Sequence, residues 1–459
     1  MTSQKSCVFE IINKLNSKIV ELDSSCGKEK LREYIIPDSN GRTDNVFVRR
    51  SPLSASMLIH FIIRHNPLSS QISADEFFWS AGKASVSKSA ISQRRTRLSA
   101  DIFTSLCTDM CREYYRHMPH FGLWHGWHIM AVDGSEFMLP DTDALAEAYG
   151  RFAYTTPHGR NGESFPMAKC VMFSDVLTGL TLSADLFPYL RDDRRCFLEM
   201  LPYICRHYPG LTDRSITVFD RGFFSALVLY RMVCRGMKFV IRAPMSSPRI
   251  RAFVESGMTE ADVEWMPVPS TSLYDDAEWK AGGRKPLHLR FVRVELPDGE
   301  VEVLVTDLTS EMVGSSMMKG LYFKRWGIEV DLLHYKHVYE IEAFSGARPL
   351  CVEQDFRAVV LTHNIICMTA GSAASDVRAD NRRRTHDYKT NVAVLAGVFY
   401  LLYVNMFVMG NVRGGMNILW TVARKRLTPI LDGRSYRRVR KRHKSSDRNH
   451  TRTNRKRVL

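Results

Sequence analysis

The sequence predicts an α/β chain with three parts: a helical N-terminal domain, a mixed α/β core, and a β-rich insertion that interrupts the core. Three observations predict this. Apolar residues recur at spacings of three and four through VFEIINKLNSKIVEL and SASMLIHFIIRHN, the helical period, within residues 1–125. From Trp124 the texture changes to β-branched apolar runs, the first being HIMAVDGSEFMLP. A turn-rich stretch containing RAPM, MPVPS and AGGRKP then separates this region from a second, helical one.

Composition sets outer bounds. A chain of 459 residues with 45% hydrophobic and 25% charged residues is an ordinary globular mixture of several domains. The formal charge of +15 is concentrated at one end, because residues 434–459 hold 12 Lys/Arg against the single acid Asp447, leaving 52 basic and 48 acidic residues elsewhere. Such a basic segment favours a polyanionic partner and names no chemistry. The ten cysteines are scattered singly and the N-terminal MTSQKSCVFE lacks the order of a secretory signal, which predicts a reduced, cytoplasmic protein without disulfides. Cys107, Cys111, His117 and His120 fit no standard zinc spacing and are expected in the core and at its edge. The apolar run 391–410 approaches the ~20 residues that span a bilayer, but Asn391, Asn405 and its central tyrosines predict a buried helix and no membrane association.

Taken in order, residues 1–125 are a helical domain in which SVSKSAISQRRTRL, residues 85–98, places turn material before a short basic helix. Gln93, Arg94, Arg95 and Arg97 on it are candidates for contacts to base edges and phosphates, as in the second helix of a helix-turn-helix. Residues 126–237 form the first part of the core. Its first strand ends on Asp133, strands 168–174 and 180–187 join through SDVLTG as a hairpin, and a helix near 194–208 precedes the strand 215–219 that delivers Asp220 into Arg221-Gly222-Phe223. Residues 238–306 are the insertion, where LHLRFVRVEL and EVEVLVTDL flank a turn at Pro297-Asp298-Gly299. Residues 307–410 resume the core as helices with a loop at 374–387, and 411–459 are the basic tail.

The second part of the core carries YFKRWGIEVDLLHYK. At about 100° per residue, Tyr322, Arg325, Glu329 and Lys336 fall at roughly 0°, 300°, 340° and 320°, so a phenol, a guanidinium, a carboxylate and an ammonium share one stripe. Alone, such a stripe is most simply a solvated face with an i,i+4 ion pair. Asp133 and Asp220 change its meaning. Two strand-end carboxylates and one on a crossing helix are a donor set for hard divalent cations, and the absence of His and Cys from the three positions argues for Mg²⁺ over zinc.

On these residues the chain resembles a DDE transposase of the insertion-sequence-four family. VDGS with Asp133, FDRGF with Asp220, and a complete Y-x2-R-x3-E-x6-K signature at Tyr322, Arg325, Glu329 and Lys336 carry the resemblance, which covers roughly residues 131–409. It implies a ribonuclease H-like core with a β insertion, and Asp133, Asp220 and Glu329 as ligands of two Mg²⁺ ions, with Mn²⁺ substituting. Tyr322, Arg325 and Lys336 would contact DNA phosphates. Trp265, or alternatively Trp279, would be the aromatic against which a flipped base stacks. The implied activity is cut-and-paste transposition on terminal inverted repeats and target DNA, by a homodimer assembled on DNA, in a prokaryotic cytoplasm at the nucleoid. A metal-dependent nuclease on the same core and a catalytically inactive DNA-binding derivative are the alternatives.

Overall fold

The computed structural model describes residues 3–430 except 44–45, 48–50, 65–68, 156–160, 270 and 297–298. Pro297 and Asp298 of the expected hairpin turn, and residues 431–459 of the expected basic tail, lie outside the described residues.

A nine-stranded mixed sheet organises the chain. Its strands are β1 (His128–Met138), β2 (Arg151–Thr155), β3 (Asn161–Asp175), β4 (Leu180–Pro188), β5 (Ser215–Phe219), β6 (Lys238–Arg242), β7 (Glu260–Trp265), β8 (Leu287–Glu295) and β9 (Val301–Thr306). They lie in the order β2-β3-β1-β5-β6-β9-β8-β7, with β4 on β3. Strand β1 pairs antiparallel with β3 on one side and parallel with β5 on the other, and β5 pairs parallel with β6. This is the mixed α/β core that the ribonuclease H-like expectation requires. Strand β5 is buried at every residue, Ser215 and Thr217 included, as suits a parallel strand covered on both faces.

The stretch expected as the β insertion opens on β6, which pairs with the core strand β5, and β9, β8 and β7 continue the same sheet through antiparallel pairs. Alternation along the strands covers both faces. Ile129, Ile216, Val218 and Val240 pack with Met318 and Leu321 of the helix Ser315–Phe323, whereas Met130, Val132, Phe219 and Ile241 join the main core with Phe197 of the helix Asp193–His207.

Two helical expectations are corrected. The helix Pro349–Asn381 runs straight through most of the stretch expected as a loop from 374, and the stretch expected as tail from 411 contains the helix Val412–Lys425 and the strand β11 (Leu427–Pro429), which pairs with β10 (Tyr388–Thr390). Pro349–Asn381 has the length and apolarity to cross a membrane, but 78% of its apolar window is buried inside the protein. The run expected as a core helix forms Val392–Tyr403 and continues as the π-helical turn Val404–Val408. Cys107 and Cys111 are buried under the Asn364 amide, which donates to their sulfurs at 3.1 and 3.3 Å, in keeping with core residues and not zinc ligands.

Arg95 does not reach DNA. Its guanidinium is 3% exposed and is spent on the core: Nε donates to Gln354 Oε1 at 2.8 Å, and Nη2 donates to the Cys351 carbonyl and to Asp355 Oδ1, both at 2.8 Å. Gln354 returns two bonds to the Arg95 and Leu98 carbonyls. The basic helix Lys88–Arg95 is thereby pinned to the helix Pro349–Asn381, with Asp355 only 1% exposed. Removing one partner strands a buried charge. Arg95→Met is therefore expected to cost about 3–5 kcal/mol in urea unfolding, with Arg95→Met/Asp355→Leu costing less than the sum of the two single changes.

Two buried histidines set the acid response. Burial pushes His60 down to about 4 and His363 down to about 3, with His334 pushing His363 in the same direction. Both are neutral in the fold and titrate near 6.5 when unfolded. The stability they contribute is thus complete above pH 6.5 and is lost as pH falls toward 4, by on the order of 1 kcal/mol per pH unit for each. The raised carboxyls of Asp133 and Asp185 work in the opposite sense over this range, so the test is the difference: as pH falls from 7 to 5 the urea midpoint of His60→Gln should rise relative to that of the wild type.

Candidate active site

The site begins where the parallel pairing of β1 and β5 stops. Register places Val132 opposite Phe219, so the next residues, Asp133 and Asp220, stand side by side on adjacent chain segments. Strand β5 ends there, but β1 runs on to Met138, so Asp133 lies within its strand and not at the strand end that the sequence suggests. Each carboxylate is fixed by its own chain. Asp133 Oδ1 accepts from the Gly134 N–H at 2.8 Å, and Asp220 caps the 3₁₀ turn Arg221–Phe223 by accepting from the Gly222 N–H at 2.7 Å.

The third carboxylate arrives on a broken helix. A single helix is expected from 312, but the chain forms two, Ser315–Phe323 and Trp326–His337, with Lys324 and Arg325 in a tight turn closed by Arg325 N–H to Tyr322 carbonyl at 3.1 Å. Gly327 lets the second helix approach the β3–β4 turn, since a Cβ there would lie 2.8 Å from Val176 Cβ. Glu329 sits in that helix's first turn, where the helix dipole favours an acid, and Lys336 sits in its last.

Arg325 joins the parts. Its Nη2 donates to Glu329 Oε1 at 2.8 Å and its Nη1 lies 4.0 Å from Asp133 Oδ2. The guanidinium also stands 6.0 Å from the Tyr322 ring and 5.4 Å from the Trp326 ring. The structure thus gathers Asp133, Asp220, Glu329, Tyr322 and Arg325. Lys336 lies farther along β1, its Nζ 5.4 Å from the centre of the Phe137 ring.

Charge in the site is incompletely balanced. Burial, reinforced by Asp220 and Glu329 and opposed by the Gly134 N–H and Arg325, pushes Asp133 up to about 6. Burial likewise raises Tyr322, with Asp220 and Glu302 adding to it and Arg242 and Arg325 opposing. Burial works against the Arg325 charge, but Glu329, Tyr322 and Asp133 together hold it above its ordinary value. Among the described residues no three acidic, histidine or cysteine side chains stand close enough to hold a metal ion as they are. The donor chemistry nonetheless fits hard cations. Asp133 and Glu329 share one arginine and Asp220 stands beside Asp133, whose carboxyl is raised first by burial and further by the charges of Asp220 and Glu329, which a divalent ion would offset.

The remaining candidates are dispersed. Gln93 is exposed, Arg94 is half-buried with its guanidinium 5.3 Å from the Phe47 ring, and Arg97 donates to the Ile36 and Arg42 carbonyls at 2.8 and 2.7 Å. Trp265 is half-buried on β7 with its ring 6.3 Å from Phe224, and no hydrogen bond or ion pair among the described residues joins it to the acids. Trp279 is buried, its indole donating to the Lys285 carbonyl at 3.0 Å, so it is a packing residue. Sequence reasoning passed over Arg242. Phe219 pairs with Ile241, which aligns Arg242 with Asp220 on the third parallel strand end, and its Nε is buried without a hydrogen-bond partner. The signal was present in KFVIR, a strand ending in a cation, but only the strand order gives it meaning.

Residues 125–365 match the family described as Transposase DDE domain. The protein named "Putative transposase InsZ" of Escherichia coli (strain K12) is 29% identical over 198 residues, which are 41% of this chain and 60% of that protein. The chain therefore matches that relative over less than two thirds of its length. Among solved structures, the piggyBac transposase synaptic complex with hairpin DNA covers 91% of this chain and 85% of its own, at 8% identity and a TM-score of 0.43. The family match takes in more than half of the chain and encloses all three acids: this chain belongs to the transposase DDE domain family.

Proposed function

We propose that the chain is a DNA transposase that cuts at the ends of a mobile element and joins them to target DNA by divalent-metal phosphoryl transfer. The observation that supports this most is the juxtaposition of Asp133 and Asp220 just past the last parallel pair of β1 and β5, with Arg325 reaching from Asp133 to Glu329.

Asp133, Asp220 and Glu329 would hold two Mg²⁺ ions, for which Mn²⁺ substitutes. When bound, these ions would supply activation of the attacking water and charge neutralisation at the leaving oxygen. The chain's own residues do the positioning. The Arg325 guanidinium offers a planar fork suited to two oxygens of one phosphate, the Tyr322 hydroxyl offers one hydrogen bond, and Lys336 offers a point charge farther along the DNA. The half-buried setting strengthens each of these contacts relative to water. In the first step the water oxygen bonds to phosphorus and the P–O3′ bond breaks, leaving a 3′-OH and a 5′-phosphate. In the second, that 3′-OH attacks a target phosphodiester and displaces another 3′ oxygen. The energy of the broken bond is kept in the new one, so neither ATP nor a covalent enzyme intermediate is needed.

DNA is the proposed partner, as terminal inverted repeats and as target, with a homodimer formed on two ends. Gln93 and Arg94 on the helix Lys88–Arg95 remain candidate DNA contacts, as does Trp265 for an unstacked base.

The test is incubation of the protein with duplexes carrying the element's ends, target DNA and Mg²⁺ or Mn²⁺, read on a denaturing gel. Wild type should give both cleaved and strand-transfer products. Glu329→Ala should lower cleavage at least ~100-fold, the scale for losing one electrostatic contributor to a transition state, with end binding little changed. Identical products from the two proteins would sink the assignment, and cleavage without joining would replace it by a nuclease. Arg325→Lys keeps the charge and loses the fork, so cleavage should fall on the order of tenfold, with an intermediate rate between wild type and Arg325→Ala.

A further inference from the structure

A second polar cleft opens at the opposite end of the sheet from the acids. It has a volume of about 810 Å³ and is walled by the helix Asp101–His117, the end of the helix Asp193–His207 and the turn at 209–214. His128, which opens β1, lies on its wall, five residues and roughly 16 Å of strand before Asp133.

The acids lining the cleft are mostly committed. Asp109 pairs with Lys18 at 2.6 Å, and Glu113 takes Lys14 at 2.7 Å as well as Arg116. Asp213 alone has no ion pair among the described residues. Arg112 and Arg214 are both exposed and also make no ion pair among the described residues. Basic residues in the last turn of a helix complement its dipole, which accounts for Arg116 and His207, but Arg112 lies a turn earlier and Arg214 lies outside any helix. His207 is lowered first by burial and then by Arg112 and Arg206, with Asp109 opposing them. The wall beneath is rigid and polar. His128 Nδ1 lies 3.1 Å from Asp175 Oδ2, and the Tyr115 hydroxyl donates to the same oxygen at 3.0 Å, with Asp175 fully buried.

We propose that this cleft binds phosphate groups, gripped by Arg112 and Arg214, with either duplex DNA backbone or a free nucleotide as their source. Its volume takes a nucleotide-sized ligand. The site lies apart from the acids, so it adds a second anion contact whether or not the transposase reading holds.

The full chain and the Arg112→Ser/Arg214→Ser variant are compared by fluorescence anisotropy with a 20-base-pair duplex lacking element ends, across a salt series. They are also compared by thermal shift with pyrophosphate and with AMP. Lys28→Ser/Arg32→Ser, which removes two exposed cations elsewhere, is the charge control. The expected result is binding at least ~10-fold weaker in the pocket variant and unchanged in the control, with the duplex salt slope reduced by about two if the duplex is the ligand. An effect confined to the duplex assigns the DNA backbone, and one confined to pyrophosphate and AMP assigns a free nucleotide. Equal binding by all three proteins, or equal weakening by the control, overturns the proposal. Arg214→Gln, a single exposed change, gives a second variant, expected to be intermediate, should the double one lose its circular dichroism.

Discussion

The site depends on one constraint of sheet geometry: β1 and β5 run parallel with Val132 opposite Phe219, so two carboxylates stand at one level just past the last parallel pair. Two like charges on neighbouring strands repel. Half-burial adds a desolvation cost to that repulsion. A structural acid pair under such a cost would be protonated or replaced, whereas here each carboxylate is held by a backbone N–H that keeps it oriented without neutralising it. Burial is the main cause of the raised Asp133, and the charges of Asp220 and Glu329 add to it.

Arg325 offsets these charges only in part. A guanidinium is planar and directional, so it satisfies Glu329 at 2.8 Å while standing 4.0 Å from Asp133, too far for a hydrogen bond. The break at Lys324 and Arg325 makes this geometry possible. A continuous helix would keep Tyr322 and Glu329 on one straight stripe. The tight turn instead lets Ser315–Phe323 lie on one face of the sheet while Trp326–His337 crosses toward β1. Gly327 supplies the clearance at that crossing, so a residue with no side chain positions one whose side chain carries the chemistry.

The acids were legible because their signals are local. A β run reaching Asp133 and a strand ending just before Asp220 can be read from neighbouring residues, and the Tyr/Arg/Glu/Lys spacing from fifteen, although only the sheet shows that β1 continues past Asp133 to Met138. Arg95 was not legible, because its meaning lies 260 positions away in Asp355, and a cation on an amphipathic basic helix looks the same whether its partner is a phosphate or a distant carboxylate. The way the expected insertion joins the sheet was not legible for a related reason. Turn-rich composition marks where chain leaves regular structure, but only hydrogen-bond register shows that β9 returns to β6 and extends the same sheet. The helix continuing past 374 shows the converse: charge-rich residues suggest a loop, yet one apolar flank with Val377 buried suffices to carry the helix to Asn381.

These long-range bonds connect the two ends of the proposed function. The helix Lys88–Arg95 is tied through Arg95 to Asp355, and on that same long helix the Asn364 side-chain carbonyl accepts from the Thr181 N–H of β4 at 2.8 Å. Thr181 in turn accepts at its hydroxyl from Tyr335, on the helix that carries Glu329, at 3.1 Å. A buried ion pair is a weak source of stability compared with an apolar contact of equal volume, but it fixes register, because few arrangements satisfy it. Phosphoryl transfer has the same need, since an error of about 1 Å in placing a phosphodiester costs on the order of 100-fold in rate. A polar chain from Arg95 through Asp355, Asn364 and Thr181 to Tyr335 therefore sets the basic helix and Glu329 in one frame, and hydrophobic packing alone would leave their relative register free to slip.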